Sequence, residues 1–185
     1  YLEKLISLQV WSKTYEFVLE NAEGNGNIPA RYQDKYQNGS YDLVLVFCDT
    51  DKKPYEQYGD IKRKINEVHG TEYAADQVVI FGNPCTMQII IEHWDEVMLD
   101  SHKKKKNAPI IYDLTGIENY KGRADQRKAI FSKITKDNYR EMQKRIKKLP
   151  TDDSIKGSSN FGNFMEYFSS DNDSWIQKIN NAIED

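Results

Sequence analysis

Cysteine, long apolar runs and a surplus of charge of one sign are all missing from this chain, and each absence excludes something. Two cysteines among 185 residues cannot build a disulfide scaffold. Cys48 inside an apolar run and Cys85 after Asn83-Pro84 fit a reducing compartment, so a cytoplasmic protein is expected. No apolar stretch approaches the roughly 20 residues that a membrane-spanning helix needs, and no signal peptide opens the chain, so no membrane partner is expected. Lys and Arg number 26 against 29 Asp and Glu, a formal charge of -3. That excludes a uniformly basic nucleic-acid binder but leaves room for local basic patches. No internal repeat is visible.

What is present is enough for one sizeable core, with 38% hydrophobic residues. Residues 1–12 read as an amphipathic helix and 14–21 as extended chain. Ile28-Pro29 opens a short helix through about residue 37. The apolar run 42–48 reads as a buried strand of a parallel sheet. Pro54 precedes a helix to about His69, and a strand over 77–81 and a helix over 86–99 follow. Strands alternating with helices predict an α/β fold, a parallel sheet with flanking helices, over residues 1–100. Beyond residue 101 the chain changes character. Lys103-Lys104-Lys105-Lys106-Asn107 reads as a solvated loop, and residues 101–185 as a mostly helical part packed on the core, ending in short helices near 163–168 and 174–184.

The chemistry concentrates where the apolar strand ends, in Cys48-Asp49-Thr50-Asp51-Lys52-Lys53-Pro54. Ligands of open α/β sheets sit at the carboxyl ends of the strands. Two carboxylates one residue apart at that position read as ligands for Mg2+ (or Mn2+), a hard ion that keeps several waters and needs only one or two carboxylates plus a substrate phosphate. Lys52 and Lys53 stand where they could neutralise that phosphate. The bland alternative is a polar turn with a proline start for the next helix. Asn83 and Pro84 either shape the mouth of the same site or form a turn and helix cap. His93, beside Glu92, is a site candidate or a packed helical histidine. Gly24-x-Gly26 is a weak phosphate cradle, and Cys48 reads as inert core. Lys103, Lys104, Lys105 and Lys106 are candidate contacts to a nucleic-acid backbone, and a second basic stretch, Lys136 to Lys148, reads equally well as a solvated face.

The order of elements, the strand ending Phe47-Cys48-Asp49-Thr50-Asp51, the Asn83-Pro84-Cys85 turn and His93-Trp94 in the following helix together resemble the RloB-like family of toprim-fold proteins, related to nucleases of the overcoming-lysogenization-defect type. The resemblance covers roughly residues 1–100. It implies a toprim-like core whose Asp-x-Asp binds magnesium, with Asp49 and Asp51 as catalytic carboxylates and a glutamate as general acid or base. It also implies phosphodiester chemistry on DNA or RNA in a bacterial phage-defence system, with a protein partner there. In that family a glutamate follows Asn-Pro-Cys and an aromatic residue, where this chain has Thr86 and Met87. The family's first strand and its glutamate are expected upstream of residue 1. The alternatives are a non-catalytic module binding nucleic acid or protein, and a haloacid-dehalogenase-type phosphatase, for which Lys53 stands where threonine or valine is wanted. DNA versus RNA, cleavage specificity, partner subunits and oligomeric state are not encoded in any motif.

Overall fold

The structure is a computed structural model that describes residues 1–50, 57–99 and 101–184. Its elements in chain order are α1 (Leu2–Ser7), a tight turn at Asn25–Asn27, α2 (Ile28–Asn38), β1 (Val46–Asp49), α3 (Gln57–His69), α4 (Ala74–Val78) and β2 (Val79–Gly82). There follow α5 (Met87–Ile91), α6 (Lys104–Thr115), α7 (Ala124–Ser132), α8 (Lys136–Ile146), α9 (Phe161–Ser169) and α10 (Ser174–Glu184). The class is α/β, and among the described residues the sheet is a parallel pair, with Val46 opposite Val79 and Asp49 opposite Gly82.

Local chemistry explains several of these elements. Pro29 sits in the first turn of α2, where its missing N–H costs nothing. On α3, Tyr58, Ile61 and Ile65 form the buried stripe that a 3.6-residue period predicts. β1 alternates buried and half-buried residues, whereas every residue of β2 is buried. The reason lies in the carboxyl-terminal part of the chain. Asn160 accepts from the Phe81 N–H at 3.0 Å and donates to the Val79 carbonyl at 2.8 Å, while the Ser159 hydroxyl donates to the Phe81 carbonyl at 2.6 Å. Side chains thus stand in for a strand and close that edge. Phe161, Phe164, Met165, Phe168, Trp175, Ile179 and Ile183 then join the sheet residues in one core. A second cluster of Met87, Ile90, Ile91, Leu99, Ile111, Tyr120 and Ile130 lies under α5, α6 and α7.

Four expectations need correction. The strand over 42–48 is paired only over Val46–Asp49, because β2 offers four residues and a ladder ends with its partner. Helix α1 stops at Ser7, before Gln9 with its left-handed φ of 52°. The helix over 86–99 is only Met87–Ile91, because Gln88 donates to the Val97 carbonyl at 2.7 Å and accepts from the Leu99 N–H at 2.7 Å, folding the chain back. Lys104 to Lys106 are no loop but the first turn of α6.

The outer edge of β1 is different from that of β2. Residues 43–45 and 15–19 make no backbone-backbone hydrogen bond among the described residues. Both stretches line a groove of about 700 Å³ along β1. No helix among the described residues is long and apolar enough to cross a membrane.

Candidate functional site

Parallel pairing puts the carboxyl ends of β1 and β2 at one mouth, and the last residues there are Asp49 and Gly82. Asp49 is held from several sides. Its Oδ1 accepts the Thr86 backbone N–H at 2.6 Å, a short charge-assisted bond. Its carbonyl accepts from Asn25 Nδ2 at 3.3 Å, and the next residue, Thr50, donates its N–H to the Gly82 carbonyl at 3.2 Å. Asn25 belongs to the Gly24-x-Gly26 segment, so the fold brings that glycine pair beside the strand end. Asp49 Oδ2 has no hydrogen-bond partner among the described residues and remains available to a ligand.

Gly82 is what lets Thr86 reach Asp49. A side chain there would meet Thr86 Cα at 2.8 Å and the Cys85 carbonyl oxygen at 2.9 Å. Only a residue without Cβ allows the backbone of residues 85 and 86 to fold this closely over the end of β2.

The other sequence candidates separate. Asp51, Lys52 and Lys53 lie outside the described residues. Asn83 is committed to the carboxyl-terminal part of the chain: its Nδ2 donates to the Asp153 carbonyl at 2.7 Å, its N–H to the Ser158 carbonyl at 3.0 Å, and its own carbonyl accepts from the Gly157 N–H at 2.9 Å. Pro84 is buried and follows a cis peptide bond. These two residues shape the mouth through the turn rather than by offering side chains to it.

His93 is 2% exposed and engaged at both ring nitrogens. Nδ1 lies 3.2 Å from Asn138 Oδ1 and Nε2 lies 3.0 Å from the Tyr1 hydroxyl. Asn138 Oδ1 also accepts the Thr135 N–H, and its Nδ2 donates to the Lys133 carbonyl. That fixes the amide orientation, so Nδ1 of His93 carries the proton and Nε2 accepts from Tyr1. Burial pushes its pKa down to about 4, opposed by the Asn138 bonds. Both nitrogens being used, His93 is a neutral structural connector between α1, α5 and α8.

One residue that carries no sequence motif lies beside the mouth. Tyr120 is 6% exposed, and its phenol is pushed up to about 12, first by burial and then by the neighbouring Cys85, with Arg127 opposing and Asp49 adding. Tyr120 packs in one cluster with Met87 and Cys85, on either side of Thr86, although 71 residues of sequence separate it from Asp49.

Among the described residues no group of three or more His, Cys, Asp and Glu is placed to hold a metal ion. A closed site of the structural-zinc kind needs such a group. A magnesium ion, which keeps most of its waters, needs fewer protein ligands than that. Compared with known protein families, with curated proteins and with solved structures, the chain matches none.

Proposed function

We propose that this chain is a magnesium-dependent phosphoryl-transfer module with a toprim-like core, acting on the phosphodiester backbone of DNA or RNA as a nuclease of a bacterial defence system, in a reducing, cytoplasmic setting. The observation that carries the reading is Asp49: a carboxylate at the end of a parallel strand, with Oδ1 pinned by the Thr86 N–H at 2.6 Å and Oδ2 available. Asp49 and Asp51 would hold Mg2+ (or Mn2+). The metal, when bound, neutralises charge on the scissile phosphate. Asp49 supplies a ligand oxygen that needs no reorganisation, because its backbone and one oxygen are already fixed.

The test is a cleavage assay on labelled single-stranded and duplex oligonucleotides. The wild type is expected to cleave with magnesium or manganese and to stop with EDTA. Asp49→Asn is expected to cleave at least about a hundredfold more slowly. Equal rates for the two proteins, or cleavage indifferent to EDTA, would refute the assignment.

One observation favours a second reading, a non-catalytic module that binds a protein partner. The groove along β1 is lined by Val18, Leu19 and Tyr41, which are 60%, 41% and 43% exposed. Its charged lining residues, Glu16, Asp42 and Asp173, are all acidic and form no ion pair among the described residues. Unpaired extended backbone on both walls fits an added strand with apolar alternate residues and a basic end. Tight binding of such a peptide by a protein that takes up no metal selects this reading.

A further inference from the structure

Several basic side chains of this protein already have an acidic partner. In the stretch from Lys136 to Lys148, Arg140 reaches Asp137, Lys144 reaches Glu141, Lys147 reaches Glu166 and Lys148 reaches Glu96. On α3, Lys62 sits 2.8 Å from both Asp76 and Asp153, and Arg63 pairs with Asp60 and Glu67. Other cations have no such partner among the described residues, and one group of them lies together. Lys103 to Lys106, Lys121, Arg127 and Lys128 are exposed and form no ion pair among the described residues. Arg123, between them, pairs with Asp125 at 3.3 Å.

The fold gathers these residues from three places in the sequence. Lys104, at the start of α6, lies across Gly122, whose φ is 71°; the position of the missing Cβ is 2.7 Å from Lys104 Cε and 3.0 Å from its Nζ. The Arg127 guanidinium donates to the Gly122 carbonyl from the other side. The loop itself is locked from below by Gln126, 7% exposed. Its Oε1 accepts the Lys121 N–H at 2.8 Å, and its Nε2 donates to the Glu118 and Asn119 carbonyls at 3.2 and 3.1 Å. A buried glutamine with all these bonds holds the loop rigid, so the cations stand on a fixed scaffold and not on a floppy tail.

Unpaired like charges held together repel one another, and a chain of net charge -3 has acidic residues enough to pair them. A polyanion removes that repulsion by displacing counterions. Two further features select its kind. Tyr112 is 50% exposed on α6, two turns from Lys105 and on its face; an exposed ring on the helix that carries these lysines is a platform on which a base stacks. Tyr120, in the same loop, is buried in one cluster with Met87 and Cys85, the residues on either side of Thr86, whose N–H bonds Asp49, so the region adjoins the mouth of the sheet.

We propose that Lys104, Lys121, Arg127 and Lys128 follow the backbone of a single-stranded nucleic acid, with a base on Tyr112, and lead one phosphate to Asp49. This rests on, and deepens, the reading of Asp49 as a phosphoryl-transfer carboxylate.

The experiment is fluorescence anisotropy of a labelled single-stranded oligonucleotide, titrated with the full chain in EDTA at several salt concentrations. The triple variant Lys104→Gln, Lys121→Gln, Arg127→Gln is expected to bind at least about tenfold more weakly at low salt, with the slope of log K on log salt shallower by about 2, since each lost phosphate contact on a single strand contributes about 0.7. Tyr112→Ala is expected to weaken binding about tenfold at every salt concentration with the slope unchanged. Replacing the paired residues Arg140, Lys144 and Lys147 with glutamine controls for charge alone and leaves binding within twofold. The proposal is overturned if the first triple variant binds like the wild type or if the control triple loses as much. It is also overturned if the charge-dependent partner turns out to be anionic lipid vesicles and not the oligonucleotide. Normal oligonucleotide binding by Asp49→Asn with unaltered cleavage would leave the tract standing and remove the assignment of Asp49. Lost cleavage in Asp49→Asn with normal binding by the triple variant would do the reverse.

Discussion

Gly82→Ala is expected to destabilise the protein by about 3 kcal/mol and to release the Asp49 carboxylate, as read by urea unfolding. The new methyl group would meet Thr86 Cα at 2.8 Å and the Cys85 carbonyl oxygen at 2.9 Å. Both are backbone atoms, so no side chain can swing aside. The turn must move, and with it the Thr86 N–H that bonds Asp49 at 2.6 Å. Gly59→Ala is the matched control. Among the described residues nothing lies within 4 Å of its added Cβ, it sits within α3, and removing a helical glycine is worth about 0.5–1 kcal/mol of added stability. Opposite signs for the two substitutions are the expected outcome, and a Gly82→Ala protein as stable as the wild type would contradict the account of the turn.

The second large effect is in pH dependence and comes from two adjacent buried groups. Glu92 is fully buried; its Oε1 accepts from Gln88 Nε2 at 2.8 Å while its Oε2 has no partner among the described residues. Burial, chiefly, pushes its pKa up to about 7, with Gln88 and Arg145 opposing and Glu96 and Asp95 adding. His93 beside it is pushed down to about 4, again chiefly by burial. The ordinary values are 4.5 and 6.5.

Between those two values the groups act with opposite sign. Folded Glu92 keeps a proton that the unfolded chain releases, so its contribution is complete below pH 4.5 and is lost as pH rises through about 7. Folded His93 lacks a proton that the unfolded chain holds, so its contribution is complete above pH 6.5 and is lost as pH falls toward 4. The two slopes nearly cancel, and the wild type should show a flat stability profile over that window. Glu92→Gln removes one of them. Its stability should then climb with pH from about 4 to 6.5, by a total on the order of 3 kcal/mol, and at pH 8 it should exceed that of the wild type. Urea midpoints across this range decide it, and a flat profile for Glu92→Gln would refute the assignment.

The parts of this molecule that were legible in its sequence are those fixed by neighbours along the chain. The apolar run ending at Asp49, the Pro29 start of α2 and the Ile61–Ile65 stripe of α3 each carry a local signal, and each is where the pattern put it. The lysine run carries the charge of a solvated loop but the periodicity of a helix. Asn107, Ile111 and Thr115, four residues apart, form the buried stripe of α6, and that spacing stands in the sequence. Other features have no local signal. Nothing around residue 88 announces that Gln88 will hold Val97 and Leu99 and so end α5 early. Nor does any motif bring Tyr120 to the strand mouth, since that placement follows from how Tyr120 packs with Met87 and Cys85. The carboxylate of the site was readable; its surroundings are tertiary.

Whether Asp49 belongs to a metal-binding mouth is tested most directly by calorimetric titration of magnesium and manganese, in the presence of a single-stranded oligonucleotide, into the wild type and into Asp49→Ala combined with Asp51→Ala. Saturable binding by the wild type that the double variant lacks is the expected result. Equal heats for the two proteins, or no binding by either, would show that the end of β1 is a polar turn and not a metal site.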